Sequence, residues 1–182
     1  AQELYNDDIF VGYRYYDTFG VDVSYPFGYG GSYTSFAMST KSVKADKDKV
    51  TVQVKVKNTG TVSGKEVAEV YFSAPDGELD KPYQELAGYA KTDELAPGES
   101  QILTISFDTK EMGSYDTDKA AYVMEDGDYI IRVGNSSRNT HVAAKLNVAE
   151  DTITEQYSNL MVPVTENDNI ENSDKYPTLE PM

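Results

Sequence analysis

Val50, Val52, Val54 and Val56 alternate with Thr51, Gln53, Lys55 and Lys57, a spacing that no helix can bury on one side. A period of two puts all four valines on one face of an extended strand and the polar residues on the other. Asn58-Thr59-Gly60 and Ser63-Gly64 end the run with turn chemistry, and the pattern then returns. Ala68, Val70 and Phe72 alternate with Glu69 and Tyr71. Leu103, Ile105 and Phe107 predict another strand, as do Tyr129, Ile131 and Val133, closed by Gly134-Asn135, and finally Ala144, Leu146 and Val148. Asp126-Gly127 gives a hairpin or turn signal just before Tyr129. Short strands spaced by Gly, Asn and Pro turns, without helical periodicity between them, specify an all-β sandwich over residues 37–149 rather than a βαβ fold. Every inward side chain in these runs is aliphatic or aromatic. The interior is a packing core, without room for a catalytic pocket, and a domain of this length needs neither metal nor disulfide to be stable.

Residues 1–36 read as an irregular aromatic arm. Gln2 to Phe10 mixes acids with Leu4, Tyr5, Ile9 and Phe10 and suits a short helical turn or an extended, docked segment. Tyr25-Pro26-Phe27-Gly28 fits a β-turn, with proline in the second position and glycine in the fourth. Phe10, Tyr13, Tyr15, Tyr16, Phe19, Tyr25, Phe27 and Tyr29 all need cover. Either they fold back on the sandwich or they form a surface made mainly for a neighbouring domain; a contiguous aromatic patch favours the second.

After Glu150 the character changes. Residues 150–182 hold eight acids, one lysine and three prolines, with scattered apolar residues. They read as an acidic linker or a strip laid over another surface, and residues 165–182 are expected to be mobile in isolation. The formal net charge of −15 argues against nucleic acid and against anionic membranes, since phosphate recognition needs a cationic surface. There is no cysteine, so neither a disulfide framework nor thiol chemistry is expected, which favours a bacterial or cytosolic source while leaving secretion open. No apolar run approaches the ~20 residues that span a bilayer.

Candidate chemistry is sparse. Acids are so abundant that carboxylate pairs carry little information. Asp7 and Asp8, the loop acids Asp76, Glu78 and Asp80, and Asp116 with Asp118 read as solvated charges; Asp76-Gly-Glu-Leu-Asp80 lacks the spacing of an EF-hand calcium loop. His141 is the single histidine, placed in a turn after Arg138-Asn-Thr140, and without a cysteine or second histidine it makes no transition-metal site. Gly28, Gly30 and Gly31 lack the lysine and strand–loop–helix context of a phosphate cradle. Asn135-Ser136-Ser137 is a formal glycosylation sequon. No catalytic residue, cofactor or metal ligand is assigned.

Val11-Gly-Tyr-Arg-Tyr-Tyr-Asp17, Tyr25-Pro-Phe-Gly-Tyr-Gly30 with Ser32-Tyr-Thr34, Asn58-Thr-Gly60, Gly64-Lys-Glu-Val67, Lys81-Pro82, Glu85-Leu86, Leu95-Ala-Pro-Gly-Glu99 and Gly127-Asp-Tyr129 with Val133-Gly134 occur in this order. Together they resemble the C-terminal region of family 3 glycoside hydrolases, the β-glucosidase-like enzymes, over residues 5–149. Gly31 departs from the pattern, where leucine is usual. The resemblance implies three segments: residues 1–36 as the end of an α/β sandwich domain and a linker, 37–149 as an immunoglobulin/fibronectin type III-like β-sandwich, and 150–182 as an acidic extension. It implies a parent that is a retaining hydrolase of β-D-glucosyl or related O-glycosidic bonds, with its nucleophile on a (β/α)8 barrel and its acid/base residue on the α/β sandwich domain, neither found in this chain. The long extension resembles the subgroup in which the barrel follows the sandwich; a plain disordered C-terminus is the alternative.

The resemblance further implies a non-catalytic module whose partners are the barrel and α/β sandwich domains of the same enzyme, with any carbohydrate contact indirect. Tyr13, Arg14, Tyr15, Tyr16, Tyr25, Phe27 and Tyr29 form the expected interdomain surface. Arg14, flanked by Tyr13 and Tyr15, is expected to donate a forked hydrogen bond across the boundary. Two other readings stay open: a carbohydrate-binding module using the tyrosines as a stacking platform, and a free-standing adhesion or assembly sandwich.

Overall fold

Alternation translates into pairing. In the computed structural model, which describes residues 8–158, β2 (Lys49–Asn58) lies between β1 (Phe36–Ala45) and β5 (Ser100–Asp108), all antiparallel. Val50, Val52 and Val54 sit opposite Phe107, Ile105 and Leu103, so the apolar faces of two strands coincide. The second sheet has the order β4-β3-β8-β9, formed by β3 (Val67–Ser73), β4 (Glu85–Lys91), β8 (Gly127–Gly134) and β9 (Thr140–Val148). The two sheets enclose one cluster built from the β2 valines, Ala68, Val70, Phe72, Leu103, Ile105, Phe107, Tyr129, Ile131 and Val133. This is the predicted β-sandwich. The expectations for residues 1–7 and 159–182, including mobility over 165–182, lie outside the described residues.

A third, small sheet adds β6 (Ser114–Asp116), β7 (Ala121–Met124) and β10 (Thr152–Gln156), in the order β10-β7-β6. Asp126-Gly127 turns the chain from β7 in this sheet to β8 in the larger one, so it marks a change of sheet rather than a hairpin. β10 falls in the segment read as an acidic extension; its residues are mostly exposed and it is held by pairing with β7. His141 lies in β9, not in a turn, and its Nε2 meets Thr40 Oγ1 of β1 at 3.0 Å.

One departure explains the architecture of the arm. β3 was expected to bury one face, yet Glu69 and Tyr71 on its other face are as buried as the core. The cover comes from residues 10–28.

Candidate functional site

The arm contains a short helix, α1 (Tyr13–Thr18). Phe10 and Phe19 bury against one another, with ring centroids 5.0 Å apart, and Tyr15 packs on Phe19 at 4.9 Å. Tyr13 stacks on Phe27 at 4.5 Å and meets Tyr71 of β3 edge-on at 6.1 Å. Its hydroxyl accepts the backbone N–H of Leu86 at 2.8 Å, and Thr18 Oγ1 accepts that of Tyr83 at 2.8 Å. Arm side chains thus occupy N–H groups at and just before the edge strand β4, one way natural sheets protect an edge.

Arg14 reaches a carboxylate of its own chain: its Nη1 lies 3.3 Å from Glu85 Oε2 on β4. The clamp is another arginine, Arg138. It donates from Nε to Asp17 Oδ1 at 2.8 Å and from Nη2 to the carbonyls of Tyr16 and Val21 at 3.1 and 2.6 Å. Asp17 is buried, so this charge-assisted pair ties the end of α1 to the loop after β8. The same loop binds the second half of the arm, where Ser137 N–H donates to the Phe27 carbonyl at 2.8 Å. Sequence reasoning missed both residues. They are 121 positions apart, and an aspartate beside tyrosines looks like any solvated acid.

The turn predicted over Tyr25–Gly28 sits one residue later. Tyr29 N–H donates to the Pro26 carbonyl at 3.1 Å, with Gly28 third at φ +81°, as a type II turn requires. That conformation brings the Gly28 backbone onto the Glu69 carboxylate, where a Cβ would collide. Glu69 accepts the Tyr71 hydroxyl at 2.7 Å. Burial raises the carboxyl above its ordinary range, and the Tyr71 hydrogen bond offsets part of that rise. Glu85 is raised by burial as well, partly countered by Arg14. A raised carboxyl binds more protons folded than unfolded. This contribution to stability is therefore fully present below the ordinary glutamate value and is lost as pH climbs from there through the folded value. Replacing Glu69 by Gln should flatten that part of the stability–pH curve, as urea midpoints from pH 4 to 8 would show. An unchanged slope would contradict the burial.

The arm ends on a polar hub. Asn58, fully buried, donates from Nδ2 to the carbonyls of Val62 and Leu95, both at 2.8 Å, and its Oδ1 accepts Thr34 Oγ1 at 2.8 Å and Gly60 N–H at 3.0 Å. Gly64 and Leu95 exchange backbone hydrogen bonds beside it. Thr34, Asn58, Gly60, Gly64 and Leu95, scattered among separate sequence motifs, thus meet at one point. Every hydrogen-bonding group of the asparagine is used, which makes its burial affordable.

The other side of the arm is bare. Tyr25 and Tyr29 stack at 5.0 Å but are 70% and 57% exposed, Phe27 is 45% exposed and Tyr33 is fully exposed. Tyr16 is exposed as well. Of the seven residues expected at an interdomain surface, Tyr13, Arg14 and Tyr15 are half-buried within this chain, while Tyr16, Tyr25, Phe27 and Tyr29 lie open. No group of three or more metal-ligating side chains occurs among the described residues, and no helix there is long and apolar enough to cross a membrane.

Residues 66–137 match the fibronectin type III-like domain family. The chain is 43% identical over 169 residues to a β-glucosidase of Ruminococcus albus, covering 90% of this chain and 18% of that protein. It is 40% identical to β-glucosidase A of Butyrivibrio fibrisolvens, covering 88% and 22%. Among solved structures, the β-glucosidase of Paenibacillus barengoltzii superposes with a TM-score of 0.82 at 46% identity, over 86% of this chain and 19% of that one. This chain carries a fibronectin type III-like domain and is homologous to the C-terminal region of family 3 β-glucosidases. It spans about a fifth of the length of these relatives. β-Glucosidase 3B of Thermotoga neapolitana, solved with α-D-glucose, superposes with a TM-score of 0.76 at 44% identity, over 81% of this fibronectin type III-like chain and 20% of that one.

Proposed function

We propose that this chain is a non-catalytic structural module of a β-glucosidase-like glycoside hydrolase, which packs against and stabilises the (β/α)8 barrel and α/β sandwich domains of the same enzyme. Three segments carry the role: residues 1–36 as arm and linker, 37–149 as the sandwich, and 150–182 as an acidic extension. The observation that supports it is the two-sidedness of the arm. One side is bonded into the sandwich through Tyr13, Thr18, Arg138 and Ser137; the other offers Tyr25, Phe27, Tyr29 and Tyr33 to solvent. Exposed aromatic rings of this kind, with Tyr25 stacked on Tyr29, suit a partner surface. The parent enzyme, by homology, cleaves terminal β-D-glucosyl or related O-glycosidic bonds.

The purified chain should release no aryl alcohol from aryl β-glucosides or β-xylosides above a buffer blank, while the longer polypeptide carrying barrel and α/β sandwich domains turns them over. Turnover by this chain alone, surviving repurification, would overturn the reading.

A further inference from the structure

A second aromatic cluster lies away from the arm, on the small sheet. Tyr115 of β6 and Tyr122 of β7 are directly opposite in register, with rings 5.3 Å apart, and Tyr157 just beyond β10 packs edge-on to Tyr122 at 6.0 Å. All three are between 39% and 47% exposed. Tyr122 and Tyr157 line an open cleft of about 320 Å³ with Lys110, Glu111, Gly113 and Glu155. The arm meets the loop after the C-terminal end of β8, whereas the small sheet joins the N-terminal end of that strand. At ~3.3 Å per residue the two ends of β8 are roughly 23 Å apart.

Gly113 shapes the cleft. Its φ of −74° is open to any residue, so its backbone does not call for glycine. What glycine provides is room: a Cβ would stand 3.0 Å from Thr154 Oγ1 and 3.4 Å from Tyr122 Cβ. The charges also restrict the occupant. Lys110 is 3.7 Å from Glu155, which neutralises the cation, and Glu111 adds a further acid. Glu155 in turn accepts the Tyr157 hydroxyl, whose pKa is raised by that hydrogen bond. An anionic ligand finds no uncompensated positive charge here, and the chain's net charge of −15 repels it further. Aromatic faces bordered by carboxylate acceptors and an ammonium donor fit a ligand with an apolar ring face and hydroxyls at its edge. The volume lies at the small end of ligand clefts.

We propose that this cleft binds one pyranose unit of a neutral saccharide, with its C–H face on Tyr122 or Tyr157 and its hydroxyls on Glu111, Glu155 and Lys110. The site is independent of the arm, so it stands or falls apart from the docking role.

The test is a titration of the 182-residue chain with methyl β-D-glucoside and with cellotriose, read by amide and tyrosine-ring chemical shifts. Saturable shifts are expected at Gly113, Tyr122, Glu155 and Tyr157. Tyr157→Ala should weaken binding on the order of tenfold, and Glu155→Gln, which keeps the backbone pairing of β10 intact, should weaken it several-fold. Absence of saturation by about 10 mM sugar, tenfold above a millimolar Kd, would overturn the proposal. So would shifts confined to Tyr25 and Tyr29, or unchanged affinity in both variants.

Discussion

Lys81→Met is expected to lower the unfolding free energy by about 3–5 kcal/mol, the range for breaking a buried ion pair from one side. Lys81 and Glu125 form an ion pair whose side chains are only 6% and 8% exposed. Lys81 also donates to the Leu79 carbonyl at 3.1 Å, and Glu125 accepts the backbone N–H groups of Glu78 at 2.6 Å and Leu79 at 3.3 Å. One carboxylate, just after β7, therefore gathers the acidic loop over Asp76–Asp80. Removing the lysine leaves that carboxylate buried, with the backbone N–H groups of Glu78 and Leu79 as its remaining donors among the described residues. Replacing both partners, as in Lys81→Met with Glu125→Leu, should recover part of the loss, because no charge is then stranded, although the loop N–H groups lose their acceptor. With no tryptophan in the chain, urea unfolding is followed by far-UV circular dichroism or tyrosine emission. A cost under about 1 kcal/mol for the single variant would place the pair among exposed ion pairs and contradict its burial.

What the sequence made legible follows from how each strand is buried. β2 and β5 bury one face and expose or half-bury the other, so alternation announced them. β3 broke the rule because Tyr71 and Glu69 on its second face lie under the arm, a tertiary contact that no local pattern records. β10 contributes little to the core and owes its place to backbone pairing with β7, so a composition-based reading saw only a polar extension. At the candidate surface, the aromatic residues were legible but their division was not. Tyr13 and Tyr25 look alike in sequence; the fold gives one a hydrogen bond to β4 and leaves the other in solvent. Asn58 looked like a turn residue and is one, yet its buried side chain also joins the arm to two loops. Among the described residues Arg14, conspicuous between two tyrosines, makes one hydrogen bond, while Arg138, inconspicuous in a loop, makes three.

On the proposed function the arm has a structural side and a docking side, and a paired replacement of Tyr25 and Tyr29 by Ser separates the two. Both rings are mostly exposed, and their stacking on one another is the single ring contact they make among the described residues. In this chain alone the double variant should cost less than about 1 kcal/mol, within the range of one exposed aromatic pair. Within the longer enzyme the same two rings would be buried at a domain boundary, where truncating an aromatic anchor costs about 2 kcal/mol or more. The measurement is the thermal or urea midpoint of both proteins, wild type and variant, under one set of conditions. The expected result is a near-unchanged midpoint for the chain and a clear drop in the longer enzyme, with its activity lost at lower temperature. Equal losses in the two proteins would show that Tyr25 and Tyr29 serve the sandwich itself, and no loss in either would leave the exposed side of the arm without a domain to dock.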